Sequence, residues 1–328
     1  MKNTIVLLVG LFLIFSLPNC KRDGAQKSLS EENTISVLCS PGLYKVTSEW
    51  ASEFCSLNPG VNIKVVNVTG SKAVENMEYS SKLGFVMGEN DLVMQGESSW
   101  KVVVGRDVIV PVYNSENPFK DLIKQKGISP EVFAAMIKDP GMKNWGTILD
   151  NGQNIPAALY LIDDPSVNSG VARLVDAGQV EISGTRVKDG RELIASVQND
   201  RYSIGICRMT SLFDAGESGK MEGIGILPID RNGNGKVDYM EDIYDDLGVL
   251  SRGVQIGKYP RAMSSNIYSV SDSKPTNRLE VEFLKWVLTY GQEVLINNGY
   301  NDLVYNERLA KVSMLEGYEI QESTSDNY

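Results

Sequence analysis

From about residue 34 to residue 305 the chain alternates short runs rich in valine and isoleucine with longer stretches whose apolar residues recur at helical spacing. Strands read as alternating or continuous short apolar runs and helices as a repeat of about 3.6 residues, so this rhythm restricts the fold to an α/β arrangement. TISVLCS predicts a first strand and LYKVTSEWASEFCSL the helix after it; VNIKVVNVT and SKAVENMEYSSKLG repeat the pair. NDLVMQ and WKVVVGRDVIVPVYN predict two more strands, the latter with a turn at Gly105-Arg106. Beyond Asn114 the helices SPEVFAAMIKD and RELIASVQND, the strands IPAALYLID, YSIGICRM and GIGILPID, and a short helix NSGVARLVDAG capped by Asn168 or Ser169 follow. YPRAMSSNIYSVS then reads as strand, and LEVEFLKWVLTYGQEVLINNGY as one amphipathic helix interrupted near Gly291. Trp50, Trp100, Trp145 and Trp286 sit at apolar spacing and are expected in the core.

The N-terminus carries its own signal. Met-Lys-Asn, the apolar run TIVLLVGLFLIFSLP and Asn19-Cys20 form a charged region, an apolar region and a short exit, which is the pattern of export. The run is shorter than the ~20 residues a membrane-spanning helix needs. Its ending, Leu17-Pro18-Asn19-Cys20, resembles the lipobox of bacterial lipoproteins, with Asn19 departing from the usual small residue. The resemblance implies that residues 1–19 are a signal peptide and that Cys20 is lipidated, fixing the chain to a membrane face on the periplasmic or extracellular side. Residues 20–33 would then be the lipidated cysteine and a flexible tether.

Export leaves roughly 300 residues, more than one core usually organises, so two lobes are expected. A net charge of −10 argues against nucleic acid as a partner. There is no histidine in the chain, which removes the commonest general base and the usual partner of a nucleophilic serine or cysteine; the expectation is a protein that is not an enzyme. Cys39, Cys55 and Cys207 form no CxxC pair and are expected as free thiols, although Cys39 and Cys55 are able to pair in an oxidising compartment.

Three strand-to-helix turns place small polar residues where backbone N–H groups gather at the positive end of a helix, a seat for an anion. They are Ser40-Pro41-Gly42, Thr69-Gly70-Ser71 and Asn168-Ser169-Gly170. Ordinary helix capping is the plain alternative for each.

WASEF after a Ser-Pro-Gly loop, VNIKVVNVTGS, GRDVIVPVYNSENP, NSGVARL, VQNDRYSIGICR and GKYPRAMSSNIYSVS followed by FLKWVLTYGQEVLINNGY occur in an order that resembles the phosphate-binding branch of periplasmic solute-binding proteins. That resemblance implies a two-lobed, periplasmic-binding-protein-like fold (type II) of mixed sheets flanked by helices, with two crossing segments and hinge closure around a solute. Lobe one would comprise 34–111 plus 226–328 and lobe two 112–225, crossing near Val110-Pro111-Val112-Tyr113 and Gly225-Ile226-Leu227-Pro228. It implies a small anion, phosphate-like, or another polar solute, held by Ser40, Gly42, Thr69, Gly70, Ser71, Ser169 and Gly170, with Glu97 standing in for the family's cleft aspartate. It also implies delivery to an ABC-type permease. Phosphate-specific relatives carry an arginine upstream of the Ser-Gly-Thr turn; here Asp163-Asp164-Pro165-Ser166 occupies that stretch and Val171 replaces the threonine, and the two aspartates would repel a dianion. A chain that kept the fold and lost the ligand, serving as a lipid-anchored scaffold of an envelope complex, is the alternative. Tyr44 and Trp100 lie near the expected cleft loops, within stacking reach of an organic solute.

The sharpest local motif is D-R-N-G-N-G-K-V-D-Y-M-E, from Asp230 to Glu241. It matches an EF-hand-type calcium loop, with Asp230, Asn232, Asn234, the Lys236 carbonyl, Asp238 and Glu241 at the ligand positions and Gly235 at the sharp turn. Because GIGILPI before it reads as strand, a structural calcium staple at the lobe boundary is expected, not a helix-loop-helix switch.

Overall fold

A computed structural model describes residues 33–68, 83–88, 100–176, 182–214, 217–220 and 222–317. Its first part runs β1 (Thr34–Cys39), α1 (Tyr44–Leu57), β2 (Asn62–Asn67), β3 (Gly84–Met87) and β4 (Trp100–Asn114). There follow α2 (Lys120–Lys126), α3 (Pro130–Lys138), α4 (Trp145–Leu149), β5 (Leu159–Ile162), α5 (Pro165–Leu174), β6 (Thr185–Val187), α6 (Gly190–Asn199) and β7 (Ile204–Arg208). The chain continues through β8 (Phe213–Asp214), β9 (Glu217–Lys220), β10 (Ile224–Ile226), α7 (Leu247–Gln255), β11 (Ser264–Ser271), α8 (Arg278–Leu288), α9 (Gln292–Asn297) and α10 (Tyr305–Glu316). The expected α/β class is what forms.

One long strand organises everything else. The β-branched run of β4 pairs antiparallel with β11 from Trp100 to Val108, then changes partner and pairs with β7 from Ile109 to Tyr113. On the first side lie β3, β1 and β2; on the second lie β5 and β6, while β10 pairs with the far end of β4. The resulting nine-stranded mixed sheet, eight strands in the order β2-β1-β3-β11-β4-β7-β5-β6 with β10 beside β4 as the ninth, is two half-sheets sharing one strand. No turn occurs at Gly105-Arg106. Arg106 exchanges backbone hydrogen bonds with Asn301, and Gly105 has no side chain because Leu295 packs where a Cβ would stand. The irregularity falls instead on the partner strand, as a bulge at Ile267/Tyr268.

Each half has its own hydrophobic core. One gathers Trp50, Phe54, Phe85 and Phe283 into edge-to-face and tilted ring contacts at 5.0–6.2 Å, with the Trp50 indole donating to the Gly291 carbonyl at 2.7 Å. The other surrounds Phe133, Trp145, Leu161 and Ile206. Trp50, Trp145 and Trp286 are buried as expected, while Trp100 is only half-buried. The second core corrects the expected lobe boundary. Ile229, Ile243, Tyr244, Leu247, Leu250, Tyr259 and Met263 all pack in it, so the chain returns to the first half near Ser264, not near Gly225–Pro228. The segment after β10 stays because its apolar residues are buried in this core, with Tyr259 donating its hydroxyl proton to the Ile109 carbonyl at 2.6 Å.

Candidate functional site

The change of partner along β4 leaves a crevice between the half-sheets, and the side chains at the switch are charged. Asp107 stands one residue before the last β4–β11 pair and is 1% exposed. Arg208 ends β7 directly opposite Ile109. Its Nη1 donates to Asp107 Oδ2 at 2.7 Å and also meets Met87 Sδ, while Nε and Nη2 form a bidentate pair with Asp164 at 2.9 and 3.1 Å. Burial works against the charge on Arg208, but Asp107 and Asp164 outweigh it and raise its pKa above the ordinary value. Burial pushes Asp107 up to about 6, against the pull of Arg208 and with the help of Asp164. Asp107 Oδ1 has no hydrogen-bond partner.

Between the two halves lies a cavity of about 420 Å³. Ser40, Pro41, Gly42, Met87 and Tyr300 line it from one side, and Asp163, Asp164, Ser166, Arg208 and Thr210 from the other. Ser40 and Gly42, expected from the sequence as ligand-loop residues, line this cavity. Ser40 precedes a short 3-10 turn, Pro41–Leu43, that leads into α1; its hydroxyl caps nothing and is buried without a partner. The Gly42 carbonyl accepts the Tyr300 hydroxyl proton at 2.8 Å. A neighbouring cavity of about 300 Å³ shares Met87 and Ser166 and is lined further by Ser169, Arg173, Ser265 and Asn266. Arg173 spans the crevice, donating to the Ala262 carbonyl at 3.2 Å and the Ser265 hydroxyl at 3.3 Å.

Other expectations need correction. Asn168, Ser169 and Gly170 are not at a helix start: α5 begins at Pro165, and its cap is Asp164, whose Oδ1 accepts from Ser166 N and Val167 N. Proline fits the first helical position and aspartate the cap before it, a start signal stronger than the Asn-Ser-Gly that was favoured. Ser169 still faces the second cavity, but Gly170 packs on Ile109 and Ala262. Thr69, Gly70, Ser71, Glu97 and Cys20 lie outside the described residues. Asp107, Asp164, Arg208, Thr210 and Tyr300 were missed. The sign of Arg208 was visible as a cation ending the apolar strand YSIGICR, where a charge is not buried without a partner.

The Asp230–Glu241 segment forms a tight loop folded on its own acidic residues. Gly235, at φ 82°, makes the left-handed turn that a side chain would strain. Asp230, 2% exposed, accepts from Asn234 N at 3.2 Å and Gly235 N at 2.8 Å. Glu241, 3% exposed, accepts from Arg231 N, Asn232 N and Asp238 N. The Asn232 and Asn234 amides reach Asp238 Oδ2 at 3.0 and 3.4 Å. Among the described residues no lysine or arginine pairs with Asp230 or Glu241, and no three carboxylates gather closely enough to form a metal cluster as they stand. The loop does not sit at the lobe boundary. Val237 N donates to the Gln125 carbonyl and Asp230 N to the Ile128 carbonyl, which fastens it to the α2–α3 turn of the second half. Cys39, Cys55 and Cys207 are free thiols. Among the described residues no helix is long and apolar enough to cross a membrane.

No family model and no curated protein matches the chain. Solved structures do. An ABC-type phosphate transport receptor from Vibrio cholerae superposes with a TM-score of 0.58 at 12% identity, covering 81% of this chain and 98% of its own. A possible phosphate binding protein from Planctomyces limnophilus gives 0.55 at 14% identity, over 87% and 98%. PstS from Borrelia burgdorferi gives 0.54 at 14% identity, over 83% and 99%. The half-sheets sharing β4, the crevice between them and these superpositions give the chain the fold of the phosphate-type, two-lobed solute-binding proteins.

Proposed function

We propose that the chain is an extracytoplasmic solute-binding protein, anchored through lipid on Cys20, which takes a small polar solute into the crevice and presents it to an ABC-type permease. The observation that carries this reading is the cavity of about 420 Å³ walled equally by both halves, with the unpartnered Ser40 hydroxyl inside it. Sites for small organic ligands span roughly 300–1,000 Å³ and are finished by a few convergent polar groups. Placement at the strand ends where a sheet changes partner is the usual position of such sites in open α/β folds. Its contents suit binding: hydroxyls, carboxylates, one guanidinium and no histidine.

The Asp230–Glu241 loop belongs to the same reading as a structural calcium site. Two carboxylates are almost wholly buried, and among the described residues their hydrogen-bond partners are backbone N–H groups, with no cationic side chain paired to either. Asp230, Asn232, Asn234, Asp238, Glu241 and the Lys236 carbonyl supply oxygen donors of the kind a hard cation takes. The ion would neutralise the loop and brace the α2–α3 turn.

Thermal melts with phosphate, molybdate, small amines and sugars test the binding reading: one class should raise the melting temperature of the wild type and not of Ser40→Trp, in which the indole fills the cavity. A melt indifferent to every solute favours instead the lipid-anchored scaffold, for which the observation is that Arg208 already has its anionic partners within the protein. For the anchor, Cys20→Ser should leave the membrane fraction; a variant retained there contradicts lipidation.

A further inference from the structure

We infer that the crevice selects a small organic cation, an amine, over a tetrahedral oxyanion; the inference rests on the solute-binding reading and names the class of its ligand. An anion site in such a fold needs a vacant positive seat, either a guanidinium or the N-terminus of a helix. The Arg208 guanidinium and the start of α5 are two such seats, and Asp164 occupies both; the turn into α1, with Ser40 and Gly42, lines the opposite wall and carries no guanidinium. The Asp164 oxygens take Arg208 Nε and Nη2, and its Oδ1 also takes Ser166 N and Val167 N at the start of α5. Asp107 holds the remaining arm of the guanidinium at 2.7 Å. Arg208 is thereby neutralised by two carboxylates, and an entering oxyanion has to displace an ion pair to reach it.

What remains open in the cavity is acceptor capacity. Asp163 lines the same wall with its side chain 81% exposed; one oxygen meets Arg186 Nη1 at 3.2 Å, and the other has no partner among the described residues. The Ser40 hydroxyl, unpartnered and 91% buried, accepts or donates. Counting Asp107, Asp163 and Asp164 against Arg208 and Arg186, one net negative charge remains within and beneath the cavity, which favours a cation over a dianion. The Tyr300 ring, Met87 and Pro41 complete an apolar wall suited to the carbon chain of an amine, and an aromatic face attracts an ammonium group. A volume of about 420 Å³ also exceeds what a five-atom oxyanion fills.

Isothermal titration of the mature chain with putrescine, phosphate, molybdate and glucose tests the assignment. Putrescine should bind, Asp163→Asn should weaken it about threefold, and Arg186→Gln, which frees Asp163, should strengthen it by a similar factor. Because Asp163 is exposed, neither change threatens the fold. Binding of phosphate, molybdate or glucose with no heat from putrescine overturns the inference and leaves the solute-binding reading standing. Putrescine binding that ignores both substitutions places the amine elsewhere and also overturns it. Silence from all four solutes overturns the inference together with the reading beneath it.

Discussion

Asp107 is a carboxyl whose ionisation the crevice opposes. Its carboxyl is fully buried, and desolvation lifts it from 3.8 to about 6 in spite of Arg208. A carboxyl raised on folding binds its proton more tightly in the native state, so its contribution to stability is complete below 3.8 and is lost as pH rises through about 6. Between pH 7 and pH 5 the wild type should therefore gain about 1 kcal/mol relative to Asp107→Asn, which has no proton to bind. Urea unfolding of both proteins at the two values checks this; parallel pH profiles would show that Asp107 ionises normally. Ser40 and Gly42, which line the cavity, stand out in the sequence because a strand-turn-helix junction announces itself in small polar residues. Asp107 and Arg208 were missed because each is one charged letter in a valine- and isoleucine-rich run, and only pairing across β4 and β7 shows that they meet.

Among the elements, the Asp230–Glu241 loop is the one whose expected role rests on the most local signal, since twelve consecutive residues carry the calcium-loop pattern and need no distant partner. Its position was not legible: the link to Gln125 and Ile128 depends on the second core retaining the segment up to Met263. If the loop takes calcium with the weak affinity of extracellular modules, roughly 0.1–1 mM, a hundredfold excess over the dissociation constant should stabilise the fold by about 2.7 kcal/mol. Differential scanning calorimetry should show the melting temperature falling with EDTA and recovering with calcium, and Glu241→Ala should remove the response. A melt that EDTA leaves unchanged contradicts the assignment. The start of α5 teaches the opposite lesson. Asp164-Pro165 is a capping signal in plain view, but the Asn-Ser-Gly that follows imitates one, and the choice between them turns on where β5 ends.

At the scale of the molecule, α/β class and two-core construction follow from the alternation of apolar periods and from length. The boundary does not, because a strand that serves both halves and a segment that overstays in the second leave no compositional mark. The halves share β4, and among the described residues the side-chain hydrogen bonds between them are polar and few: Arg173 to Ser265, Arg208 to Asp107 and Met87, Gln255 to Asp302, and Asn301 to the Ser251 carbonyl. A seam of such polar contacts around one shared strand suits hinge motion about β4, with a solute adding contacts that hold the closed form. Small-angle X-ray scattering with putrescine, phosphate or glucose in excess tests this most directly. The radius of gyration of the wild type should fall with one of them and that of Ser40→Trp with none. Superimposable wild-type curves with and without every solute would contradict a crevice that closes on a guest.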